Sequence, residues 1–110
     1  MQSSILLSRI QSLPAYRNLL GNLTTQPLSL PRSARLPVLT SLHKDLNQPI
    51  LLITDRADHA LALFDELSFW MPFTPRYLFA EPNPLFYEQA AWGASTRHER
   101  LRALTALKMT

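Results

Sequence analysis

The chain has 110 residues, of which 46% are hydrophobic, so it is long enough to bury one small core but not two. Eleven basic and eight acidic residues leave a formal net charge of +3, too small a bias to name a nucleic-acid partner. The absence of cysteine excludes disulfides, thiolate metal sites and a cysteine nucleophile. The chain shows no secretory signal pattern and no run of 18 apolar residues, so we expect a cytoplasmic protein without a membrane partner.

The first 22 residues predict a helical lead-in. Apolar residues recur there at helical spacing up to Pro14 and again up to Gly21, which is a typical helix stop. We therefore divide the chain into this lead-in, residues 1–22, and one α/β sublobe, residues 23–110.

Three short apolar segments predict β-strands, at residues 27–30, 49–54 and 76–80. The middle segment, PILLIT, is apolar almost throughout, as expected for a strand that is covered on both faces in a parallel sheet. One edge of a sheet built from three such strands would remain bare, and unpaired strand edges invite pairing with other chains.

Each predicted strand is followed by a helical pattern. Ser33 is expected to cap a helix that runs to about Leu46, and Asp55 to cap the next one. Thr96, with Glu99 three residues on, forms a capping box for the last helix. The alternation of strands and helices predicts an α/β fold, a three-layer parallel sheet with flanking helices and right-handed crossovers.

The turn after the first predicted strand lies where a nucleotide-binding protein carries its phosphate loop. A working loop, GxxxxGK[ST], needs glycines so that backbone N–H groups face the phosphates, a lysine, and a hydroxyl for magnesium. The segment LPRSARLPVL has no glycine and no lysine, so Arg32, Ser33 and Arg35 occupy only a vestigial phosphate-loop position. The two arginines could still meet a phosphate at the helix N-terminus, but two solvated side chains are the simpler interpretation. We predict no cofactor and no enzymatic activity for this chain.

The sequence predicts no metal site and no catalytic residue. The three histidines share no ligand spacing, and no serine lies in a GxSxG elbow. Asp65 and Glu66 are neighbours on a helix and diverge by about a hundred degrees, so they cannot act as a paired acid and base.

The most suggestive surface is the proline-rich segment EPNPLFYEQAAWG. Its aromatic residues could stack on a base or a partner, or they could be buried anchors of a long connection. The last helix is basic, although its cations spread around the circumference. The possible interface residues are Phe86, Tyr87, Trp92, Arg97 and Arg100.

Three pieces of sequence, taken in order, resemble the N-terminal UvrB-like region of the bacterial transcription-repair coupling factor, Mfd. They are a predicted buried strand that ends in an acidic or polar turn and leads into a helix with the pattern A-L-x-L-x-D-E-L at residues 60–67, the segment LFYE at 85–88, which resembles the family's L-P-Y-E, and the helix R-x-E-R-L-x-A-L at 97–104. The resemblance covers about residues 15 to 107, and it depends on the order and spacing of the three pieces.

The resemblance implies a degenerate, P-loop-like sublobe that keeps the phosphate-loop position and has lost its residues. It also implies a non-catalytic role: supporting UvrA recruitment and autoinhibition in the full-length ATP-dependent DNA translocase, which acts on stalled RNA polymerase. The implied partners are the second UvrB-like lobe and the translocase of the same polypeptide, and through them UvrA, RNA polymerase and DNA. Two other classes stay open, a free-standing small α/β protein that binds nucleic acid through the arginines of the last helix and a P-loop-like NTPase.

The resemblance further implies that the sublobe is truncated at its C-terminus, because the family continues there into another strand of the same sheet. With that strand missing and one sheet edge bare, we expect the 110-residue chain to be marginally stable and to self-associate.

Overall fold

The structure is a computed structural model of the chain and describes residues 2–23, 27–81 and 93–110. Its helices are α1 (Gln2–Ser12), α2 (Pro14–Gly21), α3 (Arg32–Leu46), α4 (Ala57–Trp70) and α5 (Ala94–Met109). The chain forms two compact units, Met1–Ile50 and Leu51–Thr110.

The predicted α/β fold with a three-layer parallel sheet is wrong, since all regular structure in the described ranges is helical. The segments predicted as strands, residues 27–30, 49–54 and 76–80, form neither strand nor helix. A short apolar run shows only that the segment is hydrophobic. The segment forms a strand only when its backbone pairs with that of a second segment. Because no sheet forms in the described residues, the α/β prediction for residues 23–110 is also wrong.

Unit 1 is built from α1, α2 and α3, with α1 packing on both of the others. Its buried apolar side chains are Leu7, Tyr16 and Leu36. Two small polar residues of α3, Thr40 and Ser41, have no exposed surface.

The two buried hydroxyls of unit 1 are satisfied inside α3. Thr40 Oγ1 donates to the Leu36 carbonyl at 2.8 Å and Ser41 Oγ to the Pro37 carbonyl at 3.0 Å. Hydroxyls that bond the carbonyl four residues earlier carry little burial cost. Because the Thr40 and Ser41 side chains are small, a neighbouring helix can pack closely against this face of α3. Pro37 lies inside α3 and does not end it.

The helices begin earlier or later than the predicted caps. Pro31 caps α3, Arg56 caps α4 and Gly93 caps α5, and none of these three caps makes a side-chain hydrogen bond. The predicted caps Ser33 and Asp55 and the predicted Thr96–Glu99 capping box are therefore wrong. The first turn of α5 takes up Ala94 because alanine has the highest helix propensity.

Unit 2 contains residues 51–56, α4, α5 and the non-helical residues between the two helices that the structure describes. Arginine side chains, rather than sheet hydrogen bonds, tie residues 76–80 to other parts of the unit. The Arg76 guanidinium lies 5.2 Å from the centre of the Phe64 ring and donates from Nη1 to the Met71 carbonyl at 3.1 Å. Arg100 Nε donates to the Ala80 carbonyl at 2.6 Å.

Candidate interaction surface

Two arginines of α5 lie over two aromatic rings of residues 76–80. The Arg100 guanidinium is 4.4 Å from the centre of the Phe79 ring, and that of Arg102 is 6.0 Å from the centre of the Tyr77 ring. Both rings remain about half exposed. We call Tyr77, Phe79, Arg100 and Arg102 the aromatic–arginine surface. A cation over a ring face holds the ring in place while its other face stays open to a flat partner.

Exposure along this stretch alternates with the period of an extended chain. Tyr77 and Phe79 are exposed, whereas Arg76, Leu78 and Ala80 are partly covered. Side chains of an extended chain point alternately to opposite sides. The pattern RYLFA therefore places both aromatic rings on one side although no sheet is formed.

A shallow cavity of about 340 Å³ adjoins the aromatic–arginine surface. Tyr77, Leu101, Arg102 and Met109 are among the residues that line it. Its lining combines apolar groups with the Arg102 guanidinium, the His98 ring and the Thr105 hydroxyl, which suits a flat group that carries both polar atoms and a negative charge.

The structure describes two of the five predicted interface residues. Arg97 is exposed on α5, and Arg100 belongs to the aromatic–arginine surface. Phe86, Tyr87 and Trp92 lie outside the described residues.

Sequence reasoning missed the two rings of this surface, Tyr77 and Phe79, and it considered Arg102 only as one of the cations of the last helix. The alternating aromatic positions of RYLFA were the available signal. They were interpreted as a strand instead of as two rings on one side of the chain.

The residues predicted to occupy a vestigial phosphate-loop position lie at the start of α3. Arg32, Ser33 and Arg35 are all exposed, and the next two residues of the helix, Leu36 and Pro37, are buried. The two guanidinium groups lie three residues apart and hence near each other on the helix surface.

Unit 1 carries a polar cluster around Asp45. The Tyr16 hydroxyl donates to Asp45 Oδ2 at 2.5 Å, and Gln11 Nε2 donates to Oδ1 at 3.0 Å. Burial raises the pKa of Tyr16 well above its ordinary value, and the hydrogen bond to the carboxylate raises it further. Asp45 thereby joins all three helices of the unit, because its partners belong to α1 and α2. A cavity of about 400 Å³ adjoins the cluster and is also lined by Arg17 and Leu20.

At the start of α4, the Asp55 carboxylate pairs with a histidine instead of capping the helix. His59 Nδ1 lies 2.7 Å from Asp55 Oδ1. This hydrogen bond lowers the pKa of Asp55 below its ordinary value. Next to it, Arg56 Nε donates to Asp58 Oδ1 at 3.0 Å.

Within the described ranges, no group of three or more histidine, aspartate or glutamate side chains is arranged to hold a metal ion. None of the helices found there is long and apolar enough to cross a membrane. No protein-family model matches the chain, and comparisons with curated proteins and with solved structures find no match.

Proposed function

We propose that this chain is a non-catalytic interaction sublobe of a bacterial transcription-repair coupling factor. Its role is to support UvrA recruitment and to help keep the full-length DNA translocase autoinhibited until it engages a stalled RNA polymerase. The observation that carries the proposal is the order and spacing of three sequence pieces, at residues 60–67, 85–88 and 97–104. The loss of glycine and lysine from the phosphate-loop position supports a role without nucleotide hydrolysis.

The exposed apolar side chains of the two helices that carry the first and third pieces support an interaction role. Leu61 and Phe69 of α4 are exposed, as are Leu101, Leu104 and Leu107 of α5. The three leucines of α5 follow one another at intervals of three residues and therefore occupy one side of the helix. An exposed apolar face of this kind is typical of a surface that contacts another protein segment.

The proposal is tested first at the level of the gene. Reading the genomic sequence past codon 110 should reveal a continuing frame with a helicase-type GxxxxGK[ST] motif. A frame that ends without such a motif contradicts the proposal.

A second test addresses autoinhibition in the full-length protein. Leu104→Arg places a charge on the apolar side of α5 and should release contacts that mask the UvrA-binding surface. We expect a several-fold gain in UvrA affinity in the absence of a stalled polymerase. Thr105→Arg adds the same charge at an adjacent exposed position and is the matched control. Equal UvrA affinities for the two variants and the unaltered protein would argue against a role of α5 in autoinhibition.

A second candidate function is binding of single-stranded nucleic acid, and the aromatic–arginine surface favours it. Half-exposed rings beside guanidinium groups are typical of surfaces on which bases stack. Binding should weaken steeply with salt because phosphate contacts release counterions. Arg102→Gln should lower the affinity for a labelled oligonucleotide in an anisotropy titration and reduce the salt slope, whereas Arg9→Gln, an exposed arginine of α1, should leave both nearly unchanged.

A further inference from the structure

The cavity beside the aromatic–arginine surface is bounded by one side of α5 and by the Tyr77 ring. The residues of α5 that line it recur three or four positions apart from one turn to the next, and they therefore share one side of the helix. They are His98, Leu101, Arg102, Thr105, Ala106 and Met109. The cavity lies within unit 2.

The polar groups of this cavity select an anion. The Arg102 guanidinium, the His98 ring and the hydroxyls of Thr105 and Tyr77 all belong to its lining, and each of them can donate a hydrogen bond. No carboxylate occurs among the described lining residues, and Glu99, the acidic residue of α5, is not one of them. A phosphate has several acceptor oxygens and can accept from donors that lie one helical turn apart.

The two arginine–ring pairs of the surface differ in how closely they are packed. The Arg100 guanidinium lies 4.4 Å from the centre of the Phe79 ring, and its Nε also donates to the Ala80 carbonyl at 2.6 Å. The Arg102 guanidinium lies 6.0 Å from the centre of the Tyr77 ring, at the outer limit of a cation–π contact.

The looser pair leaves the face of the Tyr77 ring accessible. Carbon atoms in contact lie about 3.5–4.0 Å apart, so a guanidinium at 6.0 Å does not cover the centre of the ring. Arg102 is exposed and makes no hydrogen bond or ion pair with another residue that the structure describes. A flat group can therefore stack on Tyr77 while Arg102 turns toward a charge that this group carries.

We propose that Tyr77, His98 and Arg102 form a binding site for a flat aromatic group that carries a phosphate, which is the chemistry of a nucleotide. The base stacks on the Tyr77 ring, and the phosphate accepts hydrogen bonds from the Arg102 guanidinium and the His98 ring. The apolar side chains of Leu101 and Met109 cover the edge of the base. The nucleotide is either free or part of a single strand, and the strand form rests on the second candidate function above.

Three probes separate the two halves of this site. Adenosine 5′-monophosphate carries both groups, adenosine only the base, and ribose 5-phosphate only the phosphate. Backbone amide shifts of the isotope-labelled chain should show the monophosphate binding near Tyr77 and Arg102. Because the cavity is shallow, we expect a dissociation constant on the order of 1 mM. Each of the other two probes should bind about fivefold more weakly or worse, since one stacked base or one charged hydrogen bond contributes at least about a factor of five.

Two substitutions should each remove one half of the binding. Tyr77→Leu should lower the affinity for the monophosphate to that for ribose 5-phosphate, whose own affinity stays unchanged. Arg102→Gln should lower it to that for adenosine, again with adenosine unchanged. Phe73→Leu, at a position 98% exposed, and Arg9→Gln are the matched controls. Phe79→Leu should cost less affinity than Tyr77→Leu, because the Phe79 ring is already in contact with Arg100.

Circular dichroism shows whether each variant keeps its helices. Arg102 is exposed on α5, so the Arg102→Gln comparison tests the site even if Tyr77→Leu alters the fold. A short oligodeoxyadenylate distinguishes the two sources of the ligand. Tighter binding of the oligonucleotide than of the monophosphate, with the same dependence on Tyr77, indicates a strand, and the reverse order indicates a free nucleotide.

The proposal is overturned if the monophosphate and its two halves bind equally well, or if Tyr77→Leu and Phe73→Leu give the same affinity. An oligonucleotide that binds independently of Tyr77 also overturns it, while leaving the second candidate function in place. None of these results bears on the repair function, because that proposal depends on the gene sequence and on UvrA affinity.

Discussion

Removing one hydroxyl group from the polar cluster of unit 1 should reveal how Asp45 holds its helices together. Tyr16 is 5% exposed, and Tyr16→Phe keeps its ring while deleting the donor to Asp45. A hydrogen bond to an ionised group contributes about 1.5–3 kcal/mol. Because Asp45 is exposed and keeps the bond from Gln11, water can replace the lost donor in part. We therefore expect a loss at or just below the lower end of this range, about 1–1.5 kcal/mol at neutral pH.

The same substitution should change the pH dependence of stability, with a sign set by the raised pKa of Tyr16. Below the unfolded value of 10.0, the folded and unfolded chains both keep the proton, so the contribution is fully present. Above it, the unfolded tyrosine ionises while the folded one stays protonated. Stability from this residue then falls by about 1.4 kcal/mol per pH unit until the folded pKa is reached. Tyr16→Phe removes this fall.

Two measurements test the reasoning. Urea unfolding of the unaltered chain and the variant at pH 7 and pH 11, monitored by circular dichroism, should give a stability deficit of the variant that is smaller at pH 11 by about 1.4 kcal/mol. The difference in tyrosinate absorbance between the unaltered chain and the variant should show Tyr16 titrating above pH 10. Tyr77→Phe, whose hydroxyl has no hydrogen bond to a described residue, is the control. A difference titration centred at pH 10 in the folded protein would refute the buried hydrogen bond.

Three further predictions concern the core, the start of α4 and the phosphate-loop position. Leu36→Ala should lower the free energy of unfolding of unit 1 by about 2–5 kcal/mol in urea denaturation, whereas Leu23→Ala, at an exposed position, should cost less than about 0.5 kcal/mol. His59→Asn should raise the pKa of Asp55 toward its ordinary value, measured from its carboxyl carbon shift; an unchanged pKa would mean that the imidazole is not the cause. Calorimetric titration with magnesium-ATP should give no micromolar binding at the turn after Leu30, and measurable heat that saturates at micromolar nucleotide would contradict the loss of the phosphate loop.

Helix positions could be predicted from the sequence because helices depend on local interactions. The helix predicted to run from Ser33 to about Leu46 is observed at Arg32–Leu46, and the last helix extends two residues on the N-terminal side of the predicted capping box. Spacing of apolar residues, proline and glycine act within a few turns. The caps predicted at Ser33 and Thr96 were wrong because a serine or threonine that can cap a helix is also accepted inside its first turn, and the cap predicted at Asp55 was wrong because its carboxylate pairs with His59.

The candidate surface could be predicted only in part. Arg97 and Arg100 were found from the basic character of the last helix. Arg100 contacts Phe79 and Arg102 contacts Tyr77, and the residues of each pair are more than twenty positions apart in the sequence. Local sequence patterns do not indicate which residues so far apart come into contact.

The sequence by itself determined which parts of this chain are helical, that residues 30–39 lack the glycines and lysine of a phosphate loop, and where the uncharged segment ILLIT lies. Each of these properties belongs to a single stretch of chain. Only the tertiary structure decided that the backbone of ILLIT bonds to no backbone group of another described residue and that Asp45 joins three helices. A paired strand or a polar cluster forms only when separate stretches of the chain come into contact. The free energy of that contact depends on every residue packed around it.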